Sequence, residues 1–113
     1  MAAEPIEVIA EKPHIFIERY AELIHQALLC LSDALTNEWD KAKDKVRKVC
    51  DIFDDMLREG FFGPEDKEAI ERIKDQLRAA VQDKDLDELG YVISDLFEDA
   101  KDAVSYVLFE LWA

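Results

Sequence analysis

The sequence contains few of the residues that interrupt regular structure, with three glycines and three prolines in 113 residues. Since turns depend on these residues, this scarcity favours a few long helices over many short strands. No apolar run approaches the roughly 18 residues of a membrane-spanning helix. The opening MAAEPIEVIAEKP is too acidic, and too short of apolar residues, for a signal peptide. No glycine-rich phosphate loop and no nucleophile–base motif is present. We therefore expect a cytoplasmic protein that is not an enzyme.

Basic residues are also scarce, because 14 Lys and Arg stand against 27 Asp and Glu, a formal net charge of -13. The negative electrostatic field of such a chain repels a phosphate backbone, so nucleic acid is a poor candidate partner. It attracts cations and basic proteins, and a basic protein partner is therefore conceivable, although the charge also keeps a protein soluble without any partner. The two cysteines, Cys30 and Cys50, lie in apolar runs and are expected to be buried, reduced thiols.

The apolar residues, which make up 50% of the chain, recur at helical spacing in four segments. Pro13 and Pro64 suit first helical turns, and Gly60 suits the end of the second helix. Thr36 or Asn37 is the expected N-cap of the second helix, and Asp85 that of the fourth. Short connections between four helices predict a single all-α domain over residues 13–113, an antiparallel up-down four-helix bundle. Residues 1–12 show no helical period and are predicted to form an N-terminal arm, in which IEVIA could be an extended segment packed over the bundle.

An internal repeat appears when the chain is shifted by 47 residues against itself. The shift aligns apolar positions of the second and fourth helices, and it also aligns the acidic pair Asp51/Asp55 with Glu98/Asp102. The two helical hairpins could thus be related copies. Both pairs are expected to point outward, and an ordinary solvated face explains them. Only Lys101 lies close to the second pair, however, and an uncompensated acidic ridge can attract a hard cation or a basic partner.

The segments that hold these pairs, VCDIFDDML and DLFEDAKDAV, resemble the E(D)xxxD motifs of PhoU-like phosphate-uptake regulators. FFGPEDKEAI between them resembles the linker of the shorter PhoU-like helical proteins. The resemblance implies a helical bundle that regulates phosphate uptake and binds a divalent or ferric metal ion. The implied ligands are Asp51, Asp55, Glu98 and Asp102. In an up-down bundle the second and fourth helices lie on a diagonal, so joining both pairs at one metal would need a second chain or another packing.

The end of the chain, YVLFELWA, is apolar almost all the way round a helix. Such a surface needs a cover, which could be the N-terminal arm, another subunit or a partner. The candidate interface residues are Leu108, Phe109 and Trp112 of this tail, with Phe61 and Phe62 of the GFFGP loop. We therefore predict a non-enzymatic interaction or regulatory module that forms a homodimer through the tail, with a PhoU-like metal-binding regulator as the alternative.

Overall fold

The computed structural model describes residues 4–112 and is all-α, with no strand in that range. Its helices are α1 (Pro5–Glu11), α2 (Pro13–Leu35), α3 (Trp39–Arg58), α4 (Pro64–Gln82) and α5 (Leu86–Tyr106), and α5 continues into a π-helical turn over Val107–Leu111. The predicted all-α class is confirmed. None of the helices described is long and apolar enough to cross a membrane.

The four long helices pack side by side around one core. Helix α2 lies against α3 and α5, and α4 lies against the same two helices, so that α3 and α5 occupy opposite corners. Adjacent helices run antiparallel, as the short connections predicted.

Each long helix buries one apolar stripe. On α2 the stripe repeats at intervals of four and three residues, which keeps it on one face; it consists of Phe16, Tyr20, Leu23, Ala27, Cys30 and Ala34. The most completely buried side chains on the other helices include Met56, Leu77, Leu89 and Leu96. Burial of each such side chain contributes about 1.5–3 kcal/mol to folding.

Several predicted helix boundaries are confirmed. Gly60 has φ = 85°, a left-handed conformation that favours glycine, and it follows the end of α3. The side chain of Asp85 accepts a hydrogen bond of 3.1 Å from the backbone N–H of Glu88 and so caps α5. At the start of α4, Asp66 accepts a bond of 3.1 Å from the N–H of Gly63.

The predicted N-cap of α3 is wrong. The Thr36 hydroxyl donates backward, to the carbonyl of Asp33 at 3.1 Å, and therefore closes α2. Asn37 adopts φ = 61° in the turn, and α3 begins only at Trp39. The backbone N–H of Glu38 donates to the Asp33 carbonyl at 2.8 Å, so the end of α2 uses the residues that the sequence suggested for α3.

The extended conformation expected for the N-terminal arm is also wrong, because residues 5–11 form α1. This helix is less than two full turns long, which is too short for a helical period to be recognised in the sequence. Ile9 is buried, and Val8 packs at the turn after α3, where a Cβ added to Gly60 would lie 3.4 Å from its side chain. Residues 1–3 of the predicted arm lie outside the described residues.

Candidate functional site

The first acidic pair lies among cations. Asp51 is exposed and lines a cleft between α3 and α4, into which basic residues of both helices also project: Lys43, Arg47 and Arg78. Asp55 forms an ion pair with Arg58, one turn further along α3. Asp55 is therefore offset by an ion pair, whereas Asp51 lies near cations that pair with other carboxylates, Arg47 with Asp44 and Arg78 with Asp75.

The second pair is not offset in this way. Glu98 and Asp102 on α5 are exposed, and among residues 4–112 neither forms an ion pair. The helices that carry the two pairs, α3 and α5, occupy opposite corners of the helical packing. Within the described range no three Asp, Glu, His or Cys side chains are grouped closely enough to hold a metal ion. The four implied ligands thus do not form one site in a single chain.

Asp102 instead lines a groove of about 390 Å³ between α4 and α5, which we call the acidic groove. Its floor is aromatic and comes from α2, α3 and the loop before α4, and includes Phe16, Tyr20, Phe53 and Phe62. The rings of Tyr20 and Phe62 meet edge to face, with their centroids 6.4 Å apart. Its rim carries three carboxylates, those of Asp66, Asp99 and Asp102.

The electrostatics of the acidic groove follow from its carboxylates and its partial burial. Burial raises the pKa of Tyr20, and the negative charges of Asp99, Asp66 and Asp102 raise it further, which keeps the phenol neutral. Burial also raises the pKa of Asp99, and the neighbouring Asp102 and Asp95 add to this effect. Among residues 4–112, none of the three carboxylates of the acidic groove forms an ion pair, so the groove concentrates negative charge.

The phenylalanines of the GFFGP loop do not form an exposed tip, which corrects their assignment to an interface. Phe61 is only 2% exposed, and its ring packs against Phe16 with centroids 5.3 Å apart. Phe62 is half-buried against Tyr20 and Phe53. Both rings close the end of the core, because the left-handed turn at Gly60 directs the chain back over it.

The other three candidate interface residues are exposed. The exposed fraction is 51% for Leu108, 70% for Phe109 and 76% for Trp112. Val107, which directly precedes them, is buried, so one side of the π-helical turn packs on the other helices and the other side does not.

A second groove, between α2 and α5, is almost entirely apolar and measures about 420 Å³; we call it the apolar groove. Its lining includes Ile17, Ile24, Phe97 and Val104, and it contains no carboxylate. Lys101 is its single charged lining residue. Such a surface is typical of a site where another apolar surface packs.

The apolar groove lies between two lines of residues that repeat at alternating intervals of four and three. The line on α2, which we call the outer stripe, is Ile17, Ala21, Ile24, Leu28, Leu31 and Leu35; the corresponding line on α5 is Gly90, Ser94, Phe97, Lys101, Val104 and Leu108. Each line lies one residue beyond the core stripe of its helix. Leu28 is 44% exposed and Leu35 64%, so much of the outer stripe is uncovered. Sequence reasoning missed it because the core stripe alone explained the helix, although the heptad spacing was visible.

The cysteines are buried and free, as expected. Burial raises the pKa of Cys30 to about 11, and it raises that of Cys50 as well. Both thiols therefore stay protonated near neutral pH, which does not favour a nucleophilic role.

The chain matches no protein-family model, and no curated protein or solved structure matches it. The resemblance of its acidic segments to PhoU-like regulators therefore stays a prediction that rests on those segments alone.

Proposed function

We propose that this chain is a non-enzymatic interaction module that acts as a homodimer, and that two copies pack through their apolar grooves and outer stripes. The observation that carries the proposal is the outer stripe of α2, a heptad line of apolar residues that the core covers only in part: Ile24 and Leu31 pack partly against the core, whereas Leu28 and Leu35 are exposed. Heptad spacing is the pattern by which helices pack against other helices. The exposed tail residues Leu108 and Trp112 extend the same surface.

Charge favours a second copy as the occupant of this surface. Two chains of net charge -13 repel one another wherever their carboxylates meet. The apolar groove has no carboxylate in its lining and one lysine, so it is a place where two copies can approach at low electrostatic cost. A two-fold axis would pair this surface with itself, as in most homodimers.

The proposal includes a finer description of the fold, an up-down four-helix bundle built from two related hairpins. Seven pairs of positions 47 residues apart are buried in both hairpins: Leu23 and Ile70, Ala27 and Lys74, Cys30 and Leu77, Ala42 and Leu89, Val46 and Ile93, Val49 and Leu96, and Met56 and Ala103. Free, buried cysteines are in keeping with a reducing compartment, and we place the protein in the cytoplasm.

The experiment is a measurement of solution mass by light scattering on a sizing column. The variant Leu28→Glu with Val104→Glu introduces charge on both sides of the apolar groove, and it is expected to convert a dimer into a monomer with unchanged helicity. A second variant, Phe109→Glu with Trp112→Glu, tests the tail separately.

The matched control is Gln76→Glu with Ala79→Glu, which adds the same charge at exposed positions of α4 and should leave the mass unchanged. A monomeric wild type at high concentration would overturn the proposal. A dimer that only the tail variant dissociates would move the interface from the apolar groove to the tail.

A further inference from the structure

The apolar groove and the exposed tail lie next to one another on the same chain. On α5 the lining of the groove extends as far as Ser105, and the π-helical turn begins two residues later, at Val107. The side chains of Leu108, Phe109 and Trp112, in and directly after this turn, are largely uncovered. One end of the molecule thus carries both an open apolar groove and a set of exposed apolar side chains.

The tail does not fill the groove of its own chain. Leu108 continues the line of Lys101 and Val104 along α5, so it lengthens the wall of the groove and does not enter the space between the helices. The backbone stays helical through the turn, since the N–H of Trp112 donates to the carbonyl of Val107 at 3.0 Å. Because a continuous helix holds each side chain beside its own backbone position, a side chain that fills the groove has to come from another molecule.

The charges of the groove and of the tail are complementary. Lys101 is the single charged residue of the groove lining, and Glu110 is the single charged residue of the π-helical turn. Both side chains are exposed, and within residues 4–112 neither forms an ion pair. Opposite charges across an interface fix its register and disfavour wrong partners. This pair of charges therefore favours the tail of a second copy as the occupant of the groove.

We propose that each chain of the homodimer inserts its tail into the apolar groove of the other. Phe109 and Trp112 pack as aromatic anchors between α2 and α5 of the second copy, and Glu110 of each chain forms an ion pair with Lys101 of the other. A two-fold axis makes the two contacts identical. The groove volume of about 420 Å³ is in the range of sites that enclose such groups. The inference rests on the proposed function and adds to it the segment that occupies the groove.

The test combines two variants that damage opposite halves of the contact. The tail variant is Phe109→Glu with Trp112→Glu, and the groove variant is Ala21→Glu with Val104→Glu. Each alone is expected to weaken self-association by about thirtyfold or more, the usual effect of losing an interface anchor. A mixture of the two should associate more tightly than either alone, because the groove variant supplies an intact tail and the tail variant an intact groove. Sedimentation of fluorescently labelled groove variant, with and without unlabelled tail variant, measures this.

A charge exchange tests the ion pair. Lys101→Glu and Glu110→Lys should each weaken association by about two- to fivefold, the effect of an exposed ion pair, and the variant that carries both changes should restore it. Glu110→Lys is expected to weaken association although it reduces the negative net charge, and with it the repulsion between the chains. The matched control is Glu68→Lys, which makes the same change at an exposed position of α4 and should leave association unchanged or strengthen it.

The outcomes separate tail insertion from the proposed function. A wild type that stays monomeric at high concentration overturns both. A tail variant that dimerises like wild type overturns the insertion and leaves the packing of apolar grooves and outer stripes in place. A mixture that associates no better than its components also overturns the insertion. A charge-exchanged chain that associates no better than the single variants overturns the pairing of Lys101 with Glu110. Circular dichroism checks that each variant is folded.

Discussion

The ammonium group of Lys74, on α4, donates a hydrogen bond to the carboxylate of Asp54, on α3, although Lys74 is only 4% exposed. A second bond, of 3.2 Å, joins it to Glu71 on its own helix. Burial by itself lowers the pKa of this lysine, but the hydrogen bonds to Asp54 and Glu71 outweigh it, and the net pKa is raised. The lysine therefore stays charged inside the bundle and links α3 to α4.

We expect Asp54→Asn to lower the free energy of unfolding by about 1–2 kcal/mol, because it leaves a buried cation with a weaker partner; the half-exposed position of Asp54 limits the loss. Lys74→Met should change it by less than about 1 kcal/mol, since an apolar side chain removes the charge that needs compensation. Urea unfolding measures both. Asp75→Asn, at an exposed ion pair, is the control. A larger loss for Lys74→Met than for Asp54→Asn would contradict this explanation.

The raised pKa of Lys74 also predicts a dependence of stability on pH. Its contribution is fully present below its ordinary pKa of 10.5 and is lost as the pH rises through the higher folded-state value. The stability difference between wild type and Lys74→Met should therefore be constant from neutral pH to about 10 and change only beyond 10.5. The comparison of wild type with Lys74→Met cancels the contributions of the tyrosines and the other lysines, because both proteins contain them. A change near neutral pH would show that another group is responsible.

Asp99→Asn is expected to stabilise the protein at pH 7 by about 0.5 kcal/mol, because it removes a charge that partial burial disfavours and that Asp102 and Asp95 repel. The folded-state pKa of Asp99 is raised, so its carboxyl favours folding below its ordinary pKa of 3.8 and this contribution is lost as the pH rises. The stability difference between Asp99→Asn and wild type should therefore become smaller as the pH falls toward 4. Thermal unfolding at several pH values measures it. Asp75→Asn, which loses a partner in Arg78, should give no gain.

Gly90→Ala should stabilise the chain by about 0.5–1 kcal/mol, because glycine is unfavourable in a helix interior and nothing lies within 4 Å of the added Cβ. Gly60→Ala is the matched control and should destabilise it, since Gly60 has φ = 85°. Thermal unfolding in dilute solution is the measurement. If Gly90→Ala stabilised the chain and also weakened its self-association, close approach of a second copy at α5 would be indicated.

Divalent and ferric ions are expected to raise the melting temperature of wild type and of Asp51→Asn with Glu98→Gln by similar amounts. The two acidic pairs lie on helices at opposite corners, so metal ions act by screening charge rather than by binding at all four residues. Differential scanning fluorimetry with magnesium, manganese and ferric ions tests this. A shift confined to wild type would restore the metal-binding, PhoU-like hypothesis, with ligands shared between chains.

The sequence predicted the long helices well because their apolar residues recur at helical spacing, and because Pro13, Gly60, Pro64 and Asp85 occupy positions that suit their backbone chemistry. It did not predict α1, which is too short to show a period. The cap predicted at Thr36 or Asn37 was misassigned, because the same polar residues can end one helix or begin the next.

The candidate site was less predictable. The acidic residues of α5, Asp99 and Asp102 among them, were recognised as one ridge, but Asp66 was not grouped with them, since only packing brings α4 beside α5. The sequence did not predict the aromatic floor for the same reason. The apolar spacing predicts Phe16, Tyr20 and Phe53 as core residues, and each does belong to the core. A groove appears where core residues remain reachable between two helices, and no single helix contains that information.

Helix α2 carries two adjacent heptad lines, one buried in the core and one beside it that is only partly buried. If folding buries the first line and dimerisation buries the second, folding and association become one linked equilibrium. A partner that binds only the folded chain shifts the folding equilibrium toward the folded state by mass action. The protein then has no single melting temperature, and its resistance to heat and to proteases rises with its own abundance. A cell that makes little of this chain would contain a less durable form of it than a cell that makes much.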